Sequence, residues 1–159
     1  MSEFHRINDE VFADAFGLLP TGMDTLRARA MLLAIGLQES RFEHRVQIGG
    51  PAHGFWQFEQ GGGCVGVMTH PSVSSTMRSV CKARGVPFSS QAIYDSIIND
   101  DVLACCAARL LLYTLPSALP DQNQRDEGWH QYTEAWRPGA PHRQTWDAFF
   151  NQAWNKVVS

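Results

Sequence analysis

Apolar positions recur at helical spacing along most of the chain. Between Ile7 and Leu18 they repeat closely enough for a first helix, which Pro20 ends. A second helix is expected from Asp24 to about Glu39, with Leu26, Ala30, Leu33 and Leu37 on one stripe. The run "RARAMLLAIGL" inside it is so apolar that it reads as buried almost all round. From Phe42 to Gly66 the periodicity collapses. Gly49, Gly50, Gly54, Gly61, Gly62, Gly63 and Gly66 are too many for a helix, so this region reads as an irregular loop with a short hairpin at most.

Beyond it the helical pattern resumes. Pro71 is placed to open a helix running to about Arg84, with Gly85 as its stop. A short helix follows Ser90, and a strongly apolar one runs from about Asp100 to Thr114, before Pro116. Trp129, Tyr132 and Trp136 fall at i, i+3 and i+7, an aromatic helical face. "RPGAP" (Arg137 to Pro141) is a turn, and Trp146, Phe150 and Trp154 mark a last helix at i, i+4 and i+8. With no repeat, low-complexity tract or long linker, residues 1–159 are expected to form one mainly α domain.

Composition narrows the function classes. The formal net charge of −3 and pI near 6.0 argue against a partner bound by neutralising phosphates, so nucleic acid is not expected. No apolar stretch is long enough to span a bilayer, so no membrane insertion is expected. The start, "MSEFHRINDE", carries acids and reads as no leader, which points to synthesis in a cytoplasm without a signal peptide. Cys64, Cys81, Cys105 and Cys106 match no zinc or redox spacing, and the six histidines show no paired ligand motif. The cysteines read as small buried hydrophobes; no metal and no cofactor are expected.

The first candidate for chemistry is Glu39, in "QESRF" straight after the apolar run. It lies one turn beyond Ile35 and two beyond Leu32, so it extends an apolar face. It also sits in the last helical turn, where the macrodipole disfavours negative charge. Desolvation and dipole both push its pKa upward, and a carboxyl protonated near neutral pH is what a general acid requires. Second comes "GPAHGFWQFEQ" (Gly50 to Gln60), where Phe55, Trp56 and Phe58 crowd around Gln57 in a glycine-flanked loop. Aromatics beside amides suit sugar rings if they are exposed, and suit a core if they are not.

These elements resemble the soluble lytic transglycosylases of the lysozyme superfamily. The matching features are "ES" closing an apolar helix, then a glycine, two large apolar residues and a glutamine, "GFWQ". Later, "WHQYTEAWRPG" (Trp129 to Gly139) partly resembles that family's Ala-Tyr-Asn-x-Gly element, with Tyr132 on its tyrosine and Thr133 where asparagine is usual. The tryptophan-rich form is more similar to lysozyme-like proteins encoded by tailed bacteriophages. The resemblance spans roughly Leu26 to Gly139.

It implies a lysozyme-like domain with the glycine-rich loop beside an active-site cleft. The implied activity is cleavage of the β-1,4 bond between N-acetylmuramic acid and N-acetylglucosamine in peptidoglycan. Glu39 would be the acid, and in a transglycosylase also the base that yields a 1,6-anhydro product. A hydrolase needs a second carboxylate, for which Glu59 and Glu43 are the candidates. Ser40 would support the acid or simply cap locally, Gln57 would orient substrate or shape the loop, and Tyr132 would wall the cleft and reach Glu39 or the sugar. Phe55 and Trp56 would bind substrate. His53 reads as a surface histidine, Arg137 as a structural ion-pair partner, and Gly61 to Gly63 as a mobile flap.

The implied partners are peptidoglycan glycan strands and, for a phage protein, virion or tail proteins. Action would then lie in the periplasm or cell wall, or from within a phage particle. The alternative is a lysozyme-like virion or glycan-binding protein that cleaves nothing.

Overall fold

The computed structural model describes residues 1–159 and is mainly helical, with no strand beyond two isolated bridges. The first helix begins earlier than the pattern predicts. It comprises α1 (Glu3–Arg6), a π-helical stretch (Ile7–Val11) and α2 (Phe12–Gly17). Ser2 caps it, its hydroxyl accepting from the His5 amide, which lets the helix start before the apolar periodicity does. α3 (Leu26–Ser40) is capped by Thr25, whose Oγ1 accepts from the Ala28 amide at 3.1 Å. Every residue from Ala30 to Leu37 is buried, as the unbroken apolar run requires.

Beyond α3 the chain contradicts one expectation. Gly61, Gly62 and Gly63 are not a flap but lie in a π-helical turn (Gln60–Cys64) that runs into α4 (Val65–Thr69) and packs on α6 (Ser90–Ser96). Tertiary packing overrides glycine's weak helix propensity here. A Cβ on Gly63 would come within 2.7 Å of the Phe58 ring, so this glycine lets the ring close over the turn. The expected hairpin is reduced to the bridges Val46–His53 and His53–Phe58.

The remaining helices match the pattern within a few residues: α5 (Ser74–Arg84), α7 (Asp101–Tyr113), α8 (Arg125–Trp136) and α9 (Arg143–Val157). Pro71 lies one turn ahead of α5 rather than in it, and Gly85 ends that helix at φ +69°. α7 is buried from Asp101 to Leu112 and touches α2, α3, α4, α5 and α8, which makes it the central helix. α3 packs mainly along α9. The four cysteines are free and buried, as small apolar fillers would be. No helix is long and apolar enough to cross a membrane.

One ionic cluster fixes the loop after α3. Asp101, 7% exposed at the start of α7, accepts from both Arg6 and Arg45, and Arg45 also meets Glu3 at 3.2 Å. The Arg45 guanidinium stacks 4.3 Å from the centre of the Phe55 ring. A carboxylate this buried is stabilised only because two guanidiniums answer it.

The close approach of α3 to its own continuation gives a direct test. A Cβ on Gly36 would lie 2.0 Å from the buried Phe42 ring, so Gly36→Ala forces that ring out of its site and should cost about 1–3 kcal/mol in denaturant unfolding. Gly17→Ala meets nothing within 4 Å and should be neutral or stabilising by up to about 1 kcal/mol.

Candidate active site

The site begins where α3 ends. Arg41 and Phe42 both take left-handed backbone conformations, at φ 55° and 53°, so the chain reverses at once. Two such residues in a row, one a phenylalanine, are costly unless the surroundings enforce them. Phe42 is repaid by burial, with its ring edge-on to Phe55 at 5.5 Å and Trp56 at 5.6 Å. The reversal carries Glu43 off the helix to an exposed position, so it does not extend the Glu39 face.

Ser40 ties this corner to the aromatic loop. Its hydroxyl donates to the Phe55 carbonyl at 2.6 Å and accepts from the Phe42 amide at 3.1 Å. "GFWQ" is itself a tight turn. His53 and Phe58 exchange backbone hydrogen bonds at 2.9 Å, and the Gln57 amide donates to the Gly54 carbonyl at 3.0 Å. Gly54 has φ +76°, and a Cβ there would meet the Ile97 carbonyl at 2.9 Å, so glycine is required on both counts. Gln57, also left-handed at φ 55°, returns its side-chain amide to the Gly54 carbonyl at 2.9 Å. In this conformation it shapes the loop.

The aromatics of the turn correct the sugar-platform expectation. Phe55 and Trp56 are each 1% exposed, and Phe58 is 3% exposed. Trp56 instead inserts into the core, where its indole N–H donates to the Leu32 carbonyl of α3 at 2.8 Å. Neither Phe55 nor Trp56 presents a ring face to a ligand. Burying such rings is worth about 1.5–3 kcal/mol each, which is why the loop folds inward. His53 is half-buried rather than on the surface, stacked 3.6 Å from Tyr94 with its Nδ1 2.8 Å from the Tyr94 carbonyl. Arg137 is exposed and forms no ion pair; it ends α8 in a left-handed conformation at φ 49°.

α8 supplies the opposite wall. The Tyr132 hydroxyl donates to Glu39 Oε1 at 2.7 Å, and its ring stacks on Trp146 of α9 at 5.3 Å, 7° from parallel. One turn on, the Trp136 indole N–H donates to the Trp56 carbonyl at 2.8 Å, so α8 and the turn are locked to each other. Gln38 completes the frame from α3. It donates to the His142 carbonyl at 2.9 Å and accepts from Thr145 at 3.0 Å, holding the start of α9 beside Glu39.

Within this frame Glu39 is partly buried, and desolvation raises its pKa from an ordinary 4.5 to about 7. The Tyr132 hydrogen bond opposes that rise by favouring the ionised form. Glu59, exposed just before the π-helical turn, adds to it by like-charge repulsion, which places the second carboxylate within electrostatic reach of the first. Tyr132 is shifted upward by its own burial and by the neighbouring Glu39 charge, so it acts as a neutral donor. The structure thus brings Glu39, Ser40 and Tyr132 to one corner, with Glu59 within electrostatic reach and Gln57 in the adjoining turn, and leaves Glu43 aside. Trp136, Trp146 and Gln38 are supporting residues that sequence reasoning did not assign to the site.

No family model, curated protein or solved structure matches the chain. Its function must be read from this corner.

The raised pKa has a consequence for stability. Relative to the unfolded chain, Glu39 favours folding fully below about pH 4.5, and that contribution is lost as pH rises through about 7. Glu39→Gln, always neutral, should therefore be more stable than wild type at pH 8, by up to about 3 kcal/mol. The advantage should shrink toward zero at pH 4.5, measured by urea unfolding at both values.

Proposed function

We propose that this protein cleaves the β-1,4-glycosidic bond between N-acetylmuramic acid and N-acetylglucosamine in peptidoglycan, as a lysozyme-like enzyme. The observation that carries this reading is Glu39: a carboxyl at the end of a buried helix, hydrogen-bonded by Tyr132, whose burial pushes its pKa up to about 7. Around neutrality such a group is a mixture of acid and base, the condition for delivering a proton to a leaving oxygen and recovering one later. The bond broken is that between the muramic C1 and the bridging oxygen. Glu39 protonates that oxygen as the C–O electron pair leaves with it, and an oxocarbenium-like centre develops at C1.

The second step depends on the nucleophile. In a transglycosylase, ionised Glu39 takes the proton from the muramic 6-hydroxyl, which closes onto C1 as a 1,6-anhydro ring. In a hydrolase, Glu59 either activates water or stabilises the cation. Neither route calls for a metal or cofactor. Ser40 and Gln57 serve by positioning the corner, and Tyr132 by orienting the acid. The tryptophan-rich α8 element fits a phage-encoded role in wall penetration or host lysis, acting on the wall from the periplasm or from a particle.

One observation favours a second reading, a lysozyme-like virion protein that cleaves nothing. Phe55 and Trp56 are buried, so the turn offers no ring faces for sugars. Catalysis separates the two readings. Glu39→Gln should lower turbidity clearance of peptidoglycan sacculi by about a hundredfold or more with an unchanged circular dichroism spectrum. Wild-type activity should fall on the alkaline side of about pH 7 as Glu39 deprotonates. Glu59→Gln should be severe if products carry reducing ends and mild if they carry anhydro ends, as read by mass spectrometry. Full clearance by Glu39→Gln, or none by wild type, overturns the enzymatic reading.

A further inference from the structure

A cavity of about 1220 Å³ lies away from Glu39, between the start of α3, the last turns of α7 and the connection leading to α8. Leu26 and Glu39 stand thirteen residues apart on α3, which at helical rise is about 20 Å. None of the residues placed around Glu39 lines this cavity. Its floor holds Arg109, which is only 6% exposed.

Arg109 differs from the other buried or half-buried arginines. Arg6, Arg29, Arg45 and Arg143 each meet a carboxylate, whereas Arg109 forms no ion pair. Its Nε donates to the Met23 carbonyl at 3.0 Å, and its remaining four N–H donors have no protein acceptor. Burial works against its charge with no acidic neighbour to compensate. Trp154, 6% exposed, also lines the cavity, and its indole nitrogen is without a hydrogen-bond partner. The Trp154 nitrogen is a buried donor without an acceptor, and the Arg109 guanidinium, set in a mostly buried side chain, lines the cavity with its free N–H groups.

The surroundings define that acceptor further. The lining carries Arg27, Arg109 and Asp121, one net positive charge with His70 neutral, and Arg27 donates to the Leu119 carbonyl at 3.1 Å. One net positive charge, with Asp121 in the same lining, matches a monoanion better than a phosphate dianion. Leu26 and Tyr113 at the cavity are 52% and 49% exposed, apolar surface fit for a hydrocarbon or ring. A guanidinium meets a planar carboxylate through two parallel bonds.

We propose that this cavity binds a small amphiphilic monocarboxylate, with its carboxylate on Arg109 and its apolar body along Leu26, Leu115 and Tyr113. The ligand stands apart from the glycan reading of the Glu39 corner and does not depend on it.

The test uses the intact protein with decanoate, decanol and decyl phosphate below their micelle concentrations. Isothermal titration should show decanoate binding at least about tenfold tighter than decanol, and tighter than decyl phosphate. The Trp154 indole N–H resonance should shift on adding decanoate. Arg109→Met should erase the preference for the carboxylate. Ser117→Trp, which fills the cavity from an exposed position and leaves Arg109 in place, should weaken decanoate at least about tenfold while the circular dichroism spectrum stays that of wild type. Equal affinity for decanol or decyl phosphate overturns the proposal. So does absence of decanoate binding up to about 1 mM, or binding that survives Ser117→Trp.

Discussion

The hydroxyl of Ser40 holds the corner on which the rest of the site depends. With one donated and one accepted hydrogen bond it joins the end of α3, the left-handed reversal at Arg41–Phe42 and the "GFWQ" turn. The reversal drops Phe42 back onto Gly36, and Phe42 in turn receives Phe55 and Trp56. The turn, clamped from below, offers its Trp56 carbonyl to Trp136 and so fixes α8. Glu39 is the residue immediately before this serine. Its backbone is held by a chain of buried contacts that runs from α3 to α8, and its carboxyl is held by the Tyr132 hydroxyl. The strain of two left-handed residues, of order 1–3 kcal/mol each, is held in place by that packing.

Two opposing forces then set the character of the carboxyl. Burial favours the neutral acid, while the Tyr132 hydroxyl favours the carboxylate, and burial wins. Tyr132 is able to hold its donor steady because its ring lies flat on Trp146, whose own indole N–H is tied to the Arg125 carbonyl at 3.0 Å. Such a site lowers stability at neutral pH in exchange for a group poised between its two forms, as active sites commonly do.

Much of this was legible in the residues themselves. The helices come from apolar periodicity and their stop signals, and Glu39 stands out because a carboxylate extending an apolar stripe contradicts the pattern around it. Periodicity put Tyr132 on an aromatic helical face, and only the resemblance of "WHQYTEAWRPG" to a lytic transglycosylase element pointed it toward Glu39. What the sequence could not say is which way the loop aromatics point. "GFWQF" has the same composition whether its rings face a sugar or the core, and only the distant partners Leu32 and Trp136 decide the matter. The glycines at 61–63 misled for a similar reason, since propensity says loop and the Phe58 ring packed on Gly63 says otherwise. Arg109 was hidden within an apolar helix, where nothing local reveals that no carboxylate comes to meet it.

The central claim is that α3 delivers a carboxyl whose burial keeps it half-protonated near neutral pH. The most direct measurement is a titration of the Glu39 side-chain carboxyl by ¹³C NMR, in wild type and in Tyr132→Phe. A midpoint near 7 is expected in wild type, and a higher one in Tyr132→Phe, because that change removes the interaction favouring the ionised form. A wild-type midpoint near the ordinary 4.5 would contradict the claim.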